Sequence, residues 1–296
     1  MTGITCKVCP HACHLSPGEV GLCGARQGQV GRVASRNYGK CTALALDPIE
    51  KKPLARYYSG AQILSYGSYG CNLSCSFCQN WEIAQAGKVA KDGEGVGDST
   101  SLADREKPPS RFISPDALVR QAVALKSKGN IGIALTYNEP LICPEYLIDV
   151  AQLAHAEGLK LVLVTNGYVM TSVAEQVFAM VDAANIDLKA FNPDFYTMVG
   201  APAGLSVVKR TIQIALAVGC HVEVTTLVIP GLNSSFTEMR EEVAWLSSLD
   251  PEITLHLTRF HPAYNMRERG ATSPSLVGDL AGIAHEKLKH VYLGNR

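Results

Sequence analysis

An excess of charge of either sign is missing from this 296-residue chain, in which 27 basic side chains balance 27 acidic ones. Without a basic surplus, broad electrostatic capture of nucleic acid or of an anionic membrane surface is not expected. Long hydrophobic runs are missing as well. No window approaches the roughly 18 uninterrupted apolar residues of a transmembrane helix. The opening Met-Thr-Gly-Ile-Thr-Cys run has neither the apolar h-region nor the cleavage pattern of a signal peptide. There is no internal repeat and no coiled-coil heptad pattern. The expectation is a cytoplasmic chain without membrane attachment. Its length lets it bury roughly three quarters of its unfolded surface, so disulfide staples are not needed. Cysteine is nevertheless abundant, with ten residues. In a reducing compartment, clustered cysteines act as metal ligands or redox groups.

Two clusters hold most of them: Cys6, Cys9, Cys13 and Cys23, then Cys71, Cys75 and Cys78. Cys41, Cys143 and Cys220 stand alone and read as small buried hydrophobes. Residues 1–60 show little periodicity and are rich in Cys, Gly and Pro, with one strand expected within 30–38. This composition predicts a small N-terminal lobe and linker that gain folding energy from a bound metal. Residues 61–296 read as a second unit. A strand at 63–69 runs into the second cysteine cluster, and residues 86–111 read as a mobile loop. Strand patterns follow at 131–136, 161–164, 183–188, 221–229 and 253–259, with a last short one at 291–293. Helices separate them. Ser114 and Pro115 start one that stops at Gly129, and Pro144 starts another that ends at Gly158. Ser172 with Glu175 and Ser235 with Glu238 read as capping boxes, and further helices are expected near 205–218 and 276–288. Such alternation means right-handed βαβ units and a parallel sheet. About six strands are too few to close an eight-stranded barrel. The predicted fold class is therefore α/β, a partial, open, TIM-like (β/α)6 barrel carrying a small Cys-rich metal lobe.

The strand bodies are apolar, but the residues that follow them are not. They read Thr136-Tyr137-Asn138-Glu139-Pro140, Thr165-Asn166-Gly167, Asp187-Leu188-Lys189, Thr225-Thr226 and Arg259-Phe260-His261-Pro262. Parallel α/β folds bind ligands at the carboxyl ends of their strands, so five polar strand ends predict one active-site rim.

Cys71-Asn-Leu-Ser-Cys75-Ser-Phe-Cys78 has the spacing C-x3-C-x2-C directly after a strand. Three thiolates in so short a run can hold three corners of an iron–sulfur cube and leave one iron open for a non-protein ligand. A zinc site would need a fourth ligand nearby, and the neighbouring sequence offers none. The N-terminal set, C-x2-C-x3-C-x9-C, offers four thiolates. These suit a second [4Fe–4S] cluster, which would relay electrons or bind substrate, or a structural zinc, which would only hold the lobe. His11 and His14 are alternative ligands there.

The C-x3-C-x2-C run after the first barrel strand resembles the radical S-adenosylmethionine (SAM) superfamily. The resemblance covers nearly the whole chain. It implies that Cys71, Cys75 and Cys78 carry a site-differentiated [4Fe–4S] cluster whose open iron binds SAM. Reductive SAM cleavage would then give a 5′-deoxyadenosyl radical that takes hydrogen from a substrate. Asn138 and Glu139 stand where the family receives the SAM ammonium, and Phe77 where it places an aromatic residue near the adenine. Thr165-Asn166-Gly167 and Asp187-Leu188-Lys189 are similar to strand ends of glycyl-radical activating enzymes near the methionyl carboxylate. The family's acidic residue before the first of these is Val164 here, which puts a cation site in doubt. His261 matches a histidine near SAM.

A narrower resemblance rests on five motifs in order: the cysteine run of 6–26, Leu-Asp-Pro-Ile-Glu-Lys-Lys-Pro-Leu (46–54), Cys-Gln-Asn-Trp-Glu-Ile (78–83), Tyr-Asn-Glu-Pro (137–140) and Arg-Phe-His-Pro (259–262). Together they look like the AmmeMemoRadiSam-system radical SAM enzyme, related to the pyruvate formate-lyase activating enzyme. Two departures stand out. The loop 86–111 is longer than the usual connection, and a Cys-bearing tail is expected where the chain stops at Arg296. Residues 46–54 read either as a surface linker or as a wall of the substrate cleft. The implied partners are a flavodoxin or ferredoxin-type electron donor, and a protein or peptide substrate with other proteins of the system. A glycyl-radical activase and, from another class, an iron–sulfur electron-transfer protein are the alternatives.

Overall fold

The computed structural model describes residues 3–88 and 108–294. Most of the connection 86–111, expected to be a mobile loop, and the last two residues of the chain lie outside the described residues. The N-terminal part is built from short antiparallel pieces. β1 (Ile4–Thr5) pairs with β2 (His14–Leu15), and β3 (Arg26–Gln29) forms a hairpin with β4 (Arg32–Ser35). The strand expected within 30–38 is therefore β4 alone. β5 (Lys40–Cys41) pairs with β8 (Arg111–Phe112), and β6 (Ala43–Pro48) leads into the rest of the chain.

One large sheet follows. Its strands are β7 (Gln62–Gly67), β9 (Asn130–Leu135), β10 (Lys160–Thr165), β11 (Ala183–Asp187), β12 (His221–Val228), β13 (Thr254–Arg259) and β14 (His290–Gly294), all parallel and in chain order. β6 joins antiparallel beside β7, so the sheet has eight strands with β14 and β6 at its edges. The open parallel α/β architecture agrees with the sequence reading. What the reading missed is β6, a strand supplied by the segment before the barrel. The helices that cover the outer face are α2 (Pro115–Ala124), α3 (Pro144–Ala156), α4 (Thr171–Phe178), α6 (Gly204–Ala217), α7 (Phe236–Leu249) and α8 (Pro274–His285). Short helices α1 (Trp81–Ala84) and α5 (Pro193–Met198) lie beyond strand ends.

Helix starts follow local chemistry where the side chain is free to cap. Ser114 accepts from the Ala117 amide and Ser273 from the Leu276 amide, each with proline in the first turn. Two expected capping boxes do not form. α4 starts two residues early, with Met170 instead of Ser172 at its N-cap, and Ser235 caps α7 without a side-chain bond. Glu238 instead accepts from the backbone amide of Phe191 at 2.8 Å. A tertiary acceptor role has displaced the local one.

Alternation along the strands splits the core in two. One set of side chains, including Leu135, Leu163, Ile186, Val224 and Leu257, packs under the helices. The opposite parity faces inward, where Ile63, Ala134, Val162 and Ala183 are small or compact and meet Ile49 and Leu54. Residues 49–56 thus fill the inside of the partial barrel. Polar inner residues hold this plug by its backbone. Asn185 donates to the Pro53 carbonyl, while Glu223 accepts from the Ala55 and Arg56 amides at 2.9 and 2.8 Å. Burial alone would raise the Glu223 carboxyl. Hydrogen bonds from His221, His256 and these amides bring it down to about 2. The surface-linker reading of 46–54 is therefore corrected. Ile49, Lys52 and Leu54 are buried, and the segment is part of the barrel's filling.

A second buried carboxyl sets a pH dependence. Thr226 Oγ lies 2.9 Å from the Leu188 carbonyl and 2.5 Å from Glu242 Oε1. One hydroxyl hydrogen cannot serve both acceptors. A protonated Glu242 resolves this by donating to Thr226, which then donates to Leu188. Burial acts in the same direction, pushing Glu242 up to about 8. The stability this group supplies is fully present below the ordinary carboxyl range, near 4.5, and is lost as pH rises to about 8. Over that window the loss approaches about 1.4 kcal/mol per pH unit. In Glu242→Gln, an amide N–H takes over the donation at every pH. Thermal unfolding between pH 5 and 8 should show a shallower decline for this variant than for the parent chain.

Candidate active site

The loop after β7 carries the second cysteine cluster. Cys75 is buried, Cys71 and Cys78 are half-buried, and all three line a cleft of about 450 Å³ at the carboxyl ends of the strands. That volume lies in the range of small-molecule sites. Cys71 Sγ accepts from the Leu73 amide at 3.4 Å and from Asn166 Nδ2 at 3.6 Å. Two ammonium groups stand beside the sulfurs. Lys88 Nζ donates to the Leu73 carbonyl and Ser74 Oγ, and Lys189 Nζ pairs with Asp187 at 3.0 Å. Burial would lower Lys189, but Asp187, Cys75 and Cys71 raise it, so it stays charged. Burial pushes the Cys71 thiol up to about 12 and those of Cys75 and Cys78 up to about 11. These sulfurs become thiolates when a metal compensates the charge.

Glu139 ties two strand ends together. It is 2% exposed, and its Oε1 accepts from Thr165 Oγ1 at 2.6 Å and from the Leu141 amide at 2.9 Å. Oε2 accepts from the Asn166 amide at 2.8 Å and, with that single bond among the described residues, keeps a lone pair for a cleft ligand. Burial pushes the carboxyl up to about 7 against these hydrogen bonds. Asn138 lines the cleft too, but both ends of its amide are engaged with backbone. Oδ1 accepts from Ser68, while Nδ2 donates to the carbonyls of Tyr69 and Gly70. Its side chain thereby fixes the turn that enters Cys71. Phe77 is buried at the cleft and packs on Phe195 at 5.8 Å between ring centroids.

The remaining strand ends divide by parity. Thr225 faces the cleft, whereas Thr226 points outward to Glu242. On β13 it is Thr258 that lines the cleft, while Phe260 is buried and His261, past the strand end, is half-buried and not part of the lining. Lys51, Lys52 and Pro53 of the plug, and Gln79 and Asn80 after Cys78, also line the cleft. The two lysines were not among the sequence-derived site residues, although the cleft-wall reading of 46–54 pointed to their segment.

The N-terminal cysteines sit against this site. The β1–β2 pair brings Cys6 and Cys13 together through a 2.8 Å backbone hydrogen bond, and all four cysteines line one small cavity. Cys23 is joined to the loop that carries the second cysteine cluster, because the Cys71 amide donates to the Cys23 carbonyl at 3.2 Å. Gly70 permits this approach. Its φ is +90°, and a Cβ there would stand 2.6 Å from the same carbonyl. His11 lines the same cavity, and its Nε2 is bonded to the Asn72 carbonyl at 2.8 Å. Among the described residues, no group of three or more His, Cys, Asp or Glu side chains is placed to hold a single metal ion. A cluster has a different requirement, since its thiolates are spread over separate irons.

A family model described as the radical SAM superfamily matches residues 65–243. The chain belongs to this superfamily. An uncharacterized protein of Methanocaldococcus jannaschii, MJ0808, is 34% identical over 99% of this chain and 81% of its own length. This radical SAM chain also matches a GTP 3′,8-cyclase of Microcystis aeruginosa at 31% identity, over 60% of the chain and 54% of the cyclase. The benzylsuccinate synthase activating enzyme of Thauera aromatica is 24% identical over 51% of the chain and 47% of the relative. The chain thus spans about half the length of these last two relatives. Its fold is similar to that of a radical SAM methyltransferase from Sphaerobacter thermophilus, with a TM-score of 0.56 and 16% identity. That match covers 80% of this chain and 67% of the other. Membership implies a [4Fe–4S] cluster, SAM and an external electron donor. No helix among the described residues is long and apolar enough to cross a membrane.

Proposed function

We propose that this radical SAM protein is a cytoplasmic, oxygen-sensitive oxidoreductase that cleaves SAM reductively in the cleft at the strand ends. The observation that carries the reading is the meeting of Cys71, Cys75 and Cys78 with Glu139, Asn166 and Lys189 around one cavity. The donor set fits the cofactor: three thiols, N–H groups from Leu73 and Asn166 on Cys71, and two ammonium groups beside them. When bound, the cluster and SAM supply one-electron bond cleavage and a hydrogen-abstracting radical. The chain's own residues hold and orient. Cys71, Cys75 and Cys78 fix the cluster. Glu139, immobilised by Thr165 and the Leu141 and Asn166 amides, presents an acceptor to the SAM ammonium, and Asn138 sets the loop that carries Cys71. Phe77 supplies apolar surface for the adenine. Asp187 and Lys189, paired at 3.0 Å in the cleft lining, would serve the methionyl carboxylate. His261, past the end of β13, does not line the cleft.

The dispersed motifs support membership in the AmmeMemoRadiSam group, with a flavodoxin or ferredoxin-type donor and a protein or peptide as hydrogen donor. Cys6, Cys9, Cys13 and Cys23 supply a second metal site. Similarity to the benzylsuccinate synthase activating enzyme favours a second reading, an activase that places a glycyl radical on a partner. Anaerobically reconstituted protein, mixed with titanium(III) citrate and SAM, should yield 5′-deoxyadenosine and methionine by chromatography. An intact cluster that yields neither would sink the reading and leave an electron-transfer protein. Deuterated candidate substrates then identify the hydrogen donor, and an EPR glycyl signal on a partner identifies the activase.

A further inference from the structure

The four N-terminal cysteines do not line the cleft, yet they are packed against it. Cys6, Cys9 and Cys23 are buried, Cys13 is half-buried, and together they enclose one cavity. Arg26 lines the same cavity and is 6% exposed. Its Nη1 holds both oxygens of Glu145, and its Nη2 donates to the Val33 carbonyl, but its buried Nε–H has no hydrogen-bond partner among the described residues. A buried donor left unpaired costs about 1–3 kcal/mol. Beside four sulfurs, an acceptor of soft, anionic character, such as a thiolate or an inorganic sulfide, would satisfy it.

The contact with the catalytic loop is covalent apart from one hydrogen bond. It runs from Cys23 Sγ through its own backbone carbonyl to the Cys71 amide and on to Cys71 Sγ. The bond lengths along this path bound the separation of the two sulfurs at about 14 Å, which is within reach of single-step electron tunnelling. His11 and Asn72 provide a second bridge between the two loops.

We infer that Cys6, Cys9, Cys13 and Cys23 bind a [4Fe–4S] cluster that receives the electron for SAM cleavage and passes it through the Cys23–Cys71 junction. The inference rests on the radical SAM reading of the cleft. A low-potential one-electron donor of flavin or iron–sulfur type reduces the N-terminal cluster from its 2+ to its 1+ core. That cluster reduces the catalytic one from 2+ to 1+ and returns to 2+. No bond to a ligand forms or breaks and no proton moves in the transfer.

The triple variant Cys71→Ala/Cys75→Ala/Cys78→Ala isolates the N-terminal site. After anaerobic reconstitution it should hold about four irons and four sulfides per chain and give an EPR signal on reduction. One zinc per chain without iron would overturn the assignment, independently of whether the parent chain cleaves SAM. Cys13→Ser, at the least buried of the four, tests the relay. With reduced flavodoxin, 5′-deoxyadenosine formation should fall at least about tenfold, while with titanium(III) citrate, which reaches the catalytic cluster directly, it should change less than about twofold. Equal loss with both reductants, or no loss with either, refutes the relay. If Cys13→Ser does not fold, rapid-freeze EPR of the parent chain decides. The N-terminal signal must appear before 5′-deoxyadenosine, and reduction of the catalytic cluster first would overturn the order.

Discussion

Replacing Cys75 with alanine is expected to lower 5′-deoxyadenosine formation by at least about 10³-fold while leaving the fold in place. On the proposed reading each of the three sulfurs closes its own corner of the cluster, and the neighbouring sulfurs at Cys71 and Cys78 would not cover the lost one. Burial already disfavours the free thiolate at Cys75, countered in part by Lys189 and Lys88. Ionisation of the three thiols is therefore coupled to metal binding, and reconstitution should release protons and proceed better as pH rises. The structural cost is small by comparison. Removing one buried sulfur from a core position costs about 1 kcal/mol, and the loop remains tied by Asn138 to Ser68, Tyr69 and Gly70 and by the Cys71–Cys23 bond. The measurement pairs SAM cleavage with circular dichroism and iron content. A native spectrum with iron retained in full and activity intact would remove Cys75 from the cluster.

The cysteine loop was legible because its information is local. The spacing Cys71, Cys75, Cys78 puts three thiols on one short loop whatever surrounds it, and the alternation of strands and helices places that loop at the carboxyl end of the sheet. The strand ends were legible as a group but not residue by residue. Strand parity decides which side chain of a polar pair turns inward, so Thr225 enters the cleft and Thr226 does not. On β13 the same parity puts Thr258 in the cleft, whereas the conspicuous Arg-Phe-His-Pro run begins where the strand ends. The plug was not legible at all as a core element. Residues 49–56 have no period of 2 or 3.6, and the groups that hold them, Tyr137, Asn185 and Glu223, lie far along the chain. The capping patterns at Ser172 and Ser235 erred for a related reason. A short motif records what the backbone prefers locally, and Glu238 found a tertiary donor instead.

The plug leads to the largest expected effect on stability, in Asp47→Ala. Asp47 accepts from Lys52 Nζ at 2.9 Å and from the Tyr137 hydroxyl at 2.7 Å, and the Lys52 ammonium also lies 4.6 Å from the centre of the Tyr137 ring. The Lys52 side chain is only 3% exposed. Burial alone would raise the Asp47 carboxyl, but Lys52 and Tyr137 hold it well below the usual carboxylate range. With the folded value depressed, the stability from this group is present above its ordinary range, near 3.8, and is lost only as pH falls well below it. Asp47→Ala therefore removes the counter-charge from a buried ammonium at every physiological pH. Breaking such a pair costs about 3–5 kcal/mol, whereas replacing both partners by groups that need no pairing is often close to neutral. Equilibrium urea unfolding should show that loss for Asp47→Ala, and Asp47→Ala/Lys52→Met should recover more than half of it. The recovery separates an unpaired charge from a packing defect, because a void at Asp47 would persist in the double variant. Lys52 and Pro53 line the cleft, so the single variant should also bind SAM more weakly while keeping its iron. A single variant as stable as the parent would mean that the plug is held by its apolar side chains and by Glu223, and that the charged pair contributes nothing.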